Sequence, residues 1–271
     1  MKLKFSTLCC KLYFCREMAS TSPYFFNKTN IPPRIGYFKS VIVFGDHSWF
    51  DVFLPMTDSY IEFGHYKNMK SVEISYKGRK ILLYSFGFGF VDLNRVVTES
   101  WFLGASNMIF LNFSIPLLPS SQIKDKDIFT IYASCRNENG TFIEVDYRYP
   151  AVAHPTIVRA LRTSSETLGY TLKPQKSVVV DGYYEKKVKR PSLLDEIVQT
   201  DVELQDWDSS NMLVYSSLRN VKSGILTCVG LKPNLVNMYD EFSDFSQYHE
   251  QMNLMAKIAL EACVLVEPAV N

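Results

Sequence analysis

Apolar residues recur in two rhythms along this chain of 271 residues. Short β-branched and aromatic runs alternate with longer stretches whose apolar positions fall three and four apart, the pattern of strands alternating with helices. The first runs all read as strands, at 38–45, 59–66, 71–77 and 80–86, with Lys77-Gly78 as a hairpin turn between the last two. The spacing then predicts a helix over about 91–103, stopped by Gly104, and a strand at 107–114.

The second half repeats the alternation. "IFTIYASC" (128–135) reads as a strand, 154–169 as a helix ended by Gly169, and "KSVVVDG" (176–182) as a strand. A helix at 208–221 opens on the capping cluster Asp208-Ser209-Ser210, and "SGILTCV" (223–229) is the next strand. The last helix, about 245–266, sets Met252, Met255, Ala259 and Ala262 on one face. Charge runs at 185–190 and 195–208 read as a solvated basic loop followed by a solvated acidic helix face.

This pattern predicts an α/β fold: one three-layer α/β/α domain over 36–271 with a central mixed β-sheet, preceded by an N-terminal extension over 1–35. Ligands of such sheets bind at the carboxyl ends of strands. That singles out Gly45-Asp46, where the first strand delivers a loop, together with 87–90, Phe113-Ser114, 181–184 and Val229-Gly230.

Composition removes several classes of function. With 29 Lys+Arg against 28 Asp+Glu, a net charge of +1 supplies no field to draw nucleic acid or an anionic membrane. Six cysteines (Cys9, Cys10, Cys15, Cys135, Cys228, Cys263) form no C-x-x-C pair and match no spacing with the four histidines. Neither zinc nor a disulfide framework is expected, Cys228 and Cys263 read as small core residues, and a reducing compartment is the simpler assumption. A serine hydrolase is disfavoured because there is no Gly-x-Ser-x-Gly elbow. The Gly-x-Gly at 87–89 lacks the third glycine of a dinucleotide fingerprint. At the N-terminus, Lys2 and Lys4 precede an apolar run as a secretory signal requires, but Lys11 interrupts it and no small-x-small cleavage site follows. A disordered extension, or a start upstream of Met18, is the reading preferred over a secretory signal. No segment approaches the roughly 20 apolar residues of a membrane span.

Six blocks, taken in order, carry a resemblance: the "GD" after the first strand, "KSVEISYKGRKILLYSFGFG", "LGASNMIFLNFS", "YPAVAHPTIV", "VVVDGYY" and "DWDSSNMLVYSSLRNVKSGILTCV". Over about 38–266 the chain resembles the hexameric nucleoside phosphorylases, the purine nucleoside phosphorylases most and the uridine phosphorylases next. The resemblance implies a glycosyltransferase-type reaction of purine salvage, in which phosphate cleaves a nucleoside to free base and ribose 1-phosphate. It implies phosphate as co-substrate with no other cofactor and no metal, a nucleoside or related small molecule as ligand, and a cytoplasmic homo-oligomer, dimer to hexamer. A secretory or organellar location through the N-terminal extension is the alternative.

Such chemistry needs cations and backbone donors around phosphate, a carboxylate on the ribose hydroxyls, and a group that protonates the departing base. By the resemblance, Gly45, Asp46 and Ser114 keep phosphate-site positions, and Lys67 stands for a cation reaching in from a neighbouring subunit. The two family arginines, however, fall on Trp49 and Leu111, and Phe113 and Pro116 replace the glycines beside Ser114. Losing two bidentate arginine contacts, at about 1.5–3 kcal/mol per bond, weakens phosphate binding by several orders of magnitude. The ribose block is Asp206-Trp207-Asp208, whose Asp208 keeps the carboxylate one methylene shorter; read without the resemblance, it is a helix-capping acid with a core tryptophan. Tyr183 falls on the aromatic that stacks on the base, and Phe88 adds wall. The general-acid position is Val229, with Cys228 or Gly230 on a one-residue shift. "YEKKVKRPSLL" corresponds to the family's lid and would bring Lys186, Lys187 or Lys189 to an anionic ligand. Two functions therefore stay open: a phosphorylase with an altered site, and a catalytically inactive homologue that binds a ligand or serves as a structural subunit.

Overall fold

The computed structural model describes residues 38–66, 69–87, 89–117, 122–180, 196–197, 199–230 and 245–267. The N-terminal extension, Lys67, Phe88, Tyr183 and the lid lysines lie outside them. The sheet is organised around β1 (Ser40–Phe44), whose five residues are all buried. Burial on both faces suits a β-branched run inside a parallel sheet covered by helices on either side.

On one side β1 pairs in parallel with β4 (Arg79–Ser85), which continues antiparallel to β3 (Met69–Tyr76) and then β2 (Ser59–Tyr66). The turn between β3 and β4 is the expected one. Lys77 and Gly78 adopt φ of 48° and 73°, the positive pair that a tight two-residue hairpin requires. On its other side β1 pairs in parallel with β5 (Asn107–Pro116).

From β5 the sheet closes on itself. β5 is parallel to β10 (Lys222–Val229), which runs antiparallel to β6 (Ile128–Cys135). β6 is parallel to β8 (Lys173–Val179), β8 is parallel to β9 (Leu204–Asp206), and β9 returns antiparallel to the end of β5 at Ile115 and Pro116. β1 stops opposite Leu111, which frees the last residues of β5 to take β9 on the same edge. A two-residue β7 (Ala151–Val152) leans on β6. The predicted mixed sheet is present, and its distal half is a five-strand ring.

Alternation along the strands feeds two cores. Ile42, Phe44, Ile109, Leu111 and Leu226 face α1 (Ser48–Phe53), α3 (Pro155–Thr167) and α5 (His249–Val266). Val41, Val43, Met108, Phe110 and Ile225 face α2 (Phe90–Phe102) and α4 (Ser209–Leu218). α4 packs on β6, β8 and β10 and is buried at every position from Ser209 to Ser216, with the small polar Ser209, Ser210, Asn211 and Ser216 buried beside Met212, Leu213, Val214 and Tyr215. Among the described residues no helix is long and apolar enough to cross a membrane.

Three expectations need correction. The segment after Gly45 was expected to be loop but is α1, because Trp49, Phe50, Val52 and Phe53 offer a helical apolar face to the core. The strand expected at 176–182 begins earlier, at Lys173, because its first residues find β6 as a partner. The stretch 195–208 is not a solvated helix face: Leu204 and Asp206 are fully buried on β9, a strand too short to show a period of its own.

Candidate functional site

The carboxyl ends of the parallel strands β1, β4, β5 and β10 lie together at one edge of the sheet. Gly45 follows β1, and its carbonyl accepts the N–H of Gly87 at 3.1 Å, stitching the ends of β1 and β4 together. Asp46 spends its carboxylate locally, accepting the Ser48 N–H at 2.7 Å as α1 begins. One residue later Trp49 turns inward and is 2% exposed. Its ring lies 6.2 Å from each of Phe44, Phe53 and Phe113, and Phe113 lies 5.4 Å from Tyr248. Leu111, wholly buried, belongs to the same cluster. On the outer side of the loop the His47 ring lies 5.2 Å from that of His65.

The other face of the same strand ends is polar. Along the β5–β10 ladder Asn112 stands opposite Thr227 and Ser114 opposite Val229. The Ser114 and Thr227 hydroxyls and the Asn112 Oδ1 are buried without a hydrogen-bond partner, while Asn112 Nδ2 donates to Ser209 Oγ on the first residue of α4 at 3.4 Å. Val229 is buried and has no proton to give. Its neighbours do not replace it. Cys228 points into the opposite core, where burial pushes its thiol well above the ordinary range. At Gly230 a Cβ would sit 3.1 Å from the Tyr248 ring and 3.2 Å from Phe113, so a side chain there would require the rings to give by a few tenths of an ångström.

α4 enters this polar face with its own carboxylates. Asp206 is fully buried on β9, and its Oδ1 accepts the N–H groups of Asp208 at 3.1 Å and Ser209 at 2.8 Å. Burial raises its pKa, and hydrogen bonds from Ser209, Ser177 and the backbone oppose that rise. Asp208 occupies the N-cap position, yet its side chain makes no capping bond to the helix. The open hollow of about 750 Å³ along α3, lined by Tyr132, Pro155, Arg159 and Arg162, is elsewhere. It sits at the opposite end of β10, where the His154 N–H donates to the Ser223 carbonyl.

No family model matches the chain. In sequence it is 28% identical over 225 residues to the purine nucleoside phosphorylase of Plasmodium vivax, covering 82% of this chain and 89% of that protein. In structure it superposes on the purine nucleoside phosphorylase of Toxoplasma gondii, solved with immucillin-H, with a TM-score of 0.77 at 22% identity, over 85% of this chain and 92% of that one. The uridine phosphorylase of Vibrio fischeri matches with a TM-score of 0.74 at 16% identity, over 89% of this chain and 100% of that one. The chain is a nucleoside phosphorylase-like protein.

In this phosphorylase-like protein the fold gathers Gly45, Asp46, Trp49, Leu111, Ser114 and Val229 at adjoining strand ends, and brings Asp206, Trp207 and Asp208 to the start of α4. Two details differ from the sequence reading. Trp207 is half-buried rather than a core residue, and the backbone at the helix start is held by Asp206 rather than Asp208. Reading by motif missed Asn112 and Thr227, although a polar residue two positions before Ser114 in an apolar strand was a visible signal for the first. Tyr248 carried no local signal. It reaches Phe113 and Gly230 only because α5 folds back beneath the sheet.

Proposed function

We propose that this protein binds a nucleoside at the strand ends of a phosphorylase fold and is deficient in phosphate-dependent cleavage. The observation that carries this reading is the burial of Trp49 and Leu111 within one apolar cluster with Phe44, Phe53, Phe113 and Tyr248. Phosphate needs charge-assisted donors there, and an apolar cluster offers none while charging the full desolvation of the anion. Val229 supports the same conclusion, since a departing base finds no acid at that position. The proposed site keeps Ser114 and the Asp208 carboxylate for the ligand's polar groups. We place the protein in the cytoplasm as a homo-oligomer, dimer to hexamer; free, buried Cys228 and Cys263 suit a reducing compartment.

The test pairs an assay with a binding measurement. Inosine, adenosine and uridine, each with phosphate and a high enzyme concentration, should yield no free base above the buffer rate. In thermal unfolding, a nucleoside should raise Tm while millimolar phosphate alone should not; a ligand at a hundred times its Kd adds about 2.7 kcal/mol. Phosphate-dependent release of base from any of the three overturns the reading.

A further inference from the structure

The polar face of β5 and β10 leaves hydrogen-bonding capacity that the fold does not use. Ser114 and Thr227 are fully buried, yet neither hydroxyl has a partner, and Asn112 leaves its amide oxygen unmet. Buried polar atoms are nearly always satisfied, so three orphans on one patch point to a missing partner. They do share one patch. Asn112 and Thr227 are opposed across the β5–β10 ladder, and Ser114 follows Asn112 by two residues, on the same side of the strand. Asn112 bonds Ser209, which places the patch against the first turn of the ten-residue α4. Ser114 stands opposite Val229, the last residue of β10, so the patch lies at the carboxyl end of the sheet.

The charge around this patch decides what it can take. A helix start attracts anions, but here a resident carboxylate already occupies that role: Asp206 accepts the N–H groups of Asp208 and Ser209. Asp208 adds a second carboxylate at the N-cap. The three orphan groups are two hydroxyls and an amide, all neutral, and each able to pair with a hydroxyl. A neutral hydroxyl-bearing ligand matches this set, whereas an anion meets two carboxylates.

We propose that Asn112, Ser114 and Thr227 form the floor of a subsite for the hydroxyl-bearing, neutral part of the ligand, and so favour intact nucleoside over free base. This inference rests on the nucleoside-binding reading above and assigns Asn112 and Thr227 as specificity-determining residues. The floor lies on the polar face of β5, back to back with the apolar cluster of Trp49 and Leu111.

The experiment measures the affinity of inosine, adenosine and uridine, and of their free bases, by calorimetry on the full chain and on Thr227→Val, Asn112→Leu and Ser114→Ala. Loss of one floor hydrogen bond should weaken nucleoside binding roughly tenfold and leave free-base affinity unchanged. Millimolar inorganic phosphate should not compete. Thermal unfolding of each variant in the absence of ligand controls for folding; Thr227→Val preserves shape and removes an unpaired hydroxyl, so its Tm should match or exceed that of the natural chain. Nucleoside affinities within twofold of the natural chain in all three folded variants overturn the floor and leave only ordered water as its occupant. Binding of free bases without any preference for nucleosides also overturns it, while leaving a base-binding site in place. If the natural chain binds neither nucleosides nor bases, the nucleoside-binding reading itself falls.

Discussion

The two faces of β5 differ at its carboxyl end. Leu111 and Phe113 point into an apolar cluster closed by Trp49 and Tyr248, while Asn112, which bonds Ser209 at the start of α4, and Ser114, alternating with them, each leave an oxygen unpaired. At its carboxyl end the strand therefore carries a finished apolar core on one side and buried polar groups with unpaired atoms on the other. The contrast teaches where change in a scaffold settles. Apolar side chains that interdigitate stabilise the fold, and the Trp49 side is packed in this way. Unpaired polar atoms cost stability and persist only where a ligand or water repays them.

If that contrast is right, perturbing the apolar face costs most. Trp49→Ala should lose about 3–5 kcal/mol in denaturant unfolding, because the indole bridges Phe44, Phe53 and Phe113. A tryptophan sitting loosely in a ligand cup would cost far less, and a loss under about 1 kcal/mol would break the comparison. Trp49→Arg with Leu111→Arg should not restore phosphate binding. It should unfold the protein, since two guanidinium groups would be buried without carboxylate partners.

Gly230→Ala comes next. Its Cβ would press on Tyr248 and Phe113 at 3.1 and 3.2 Å, and the overpacking should cost about 1–3 kcal/mol by the same measurement. A neutral result would mean that Tyr248 does not close the apolar cluster.

Asp206→Asn sharpens the polar side through pH. The folded-state pKa of Asp206 is raised by burial, so the native protein holds the proton more tightly than the unfolded chain does. The stability this contributes is present below the ordinary carboxylate range and is lost as pH rises through the raised folded value. Asparagine keeps an acceptor for the N–H groups of Asp208 and Ser209 without the charge. The variant should therefore gain on the natural protein as pH rises through that window and show no gain below it, read as the difference in Tm. A gain confined to acid would reverse the assignment. Taking that difference between the two proteins removes the contributions of Glu73 and Glu99, whose pKa values burial also raises. The smallest effect should be that of Thr227→Val on unliganded stability, within about 1 kcal/mol and toward greater stability.

Much of the fold was legible because its elements are long and periodic. The strands at 59–66 and 128–135 and the hairpin at Lys77-Gly78 fall where hydrophobic alternation and turn chemistry place them. β7 and β9, of two and three residues, were not, since pairing rather than local pattern defines them. At the candidate site Trp49, Leu111 and Val229 were singled out from the order of motifs. Their consequence was not: a tryptophan after Gly-Asp reads equally as loop or as helix until its neighbours are known.

Sequence alone determined the alternation of strands and helices, the phosphorylase-like order of blocks, and the absence of arginine at two positions. Tertiary structure decided that Trp49 and Leu111 share one apolar cluster with Phe44, Phe53, Phe113 and Tyr248, that Asp206 is buried beside the start of α4, and that Asn112 meets Thr227 on an unpaired patch. The physical reason is the range of the interactions. Periodicity and turn preference act over a few residues, whereas desolvation, ring packing and hydrogen-bond satisfaction depend on what segments far apart in the chain bring to the same place.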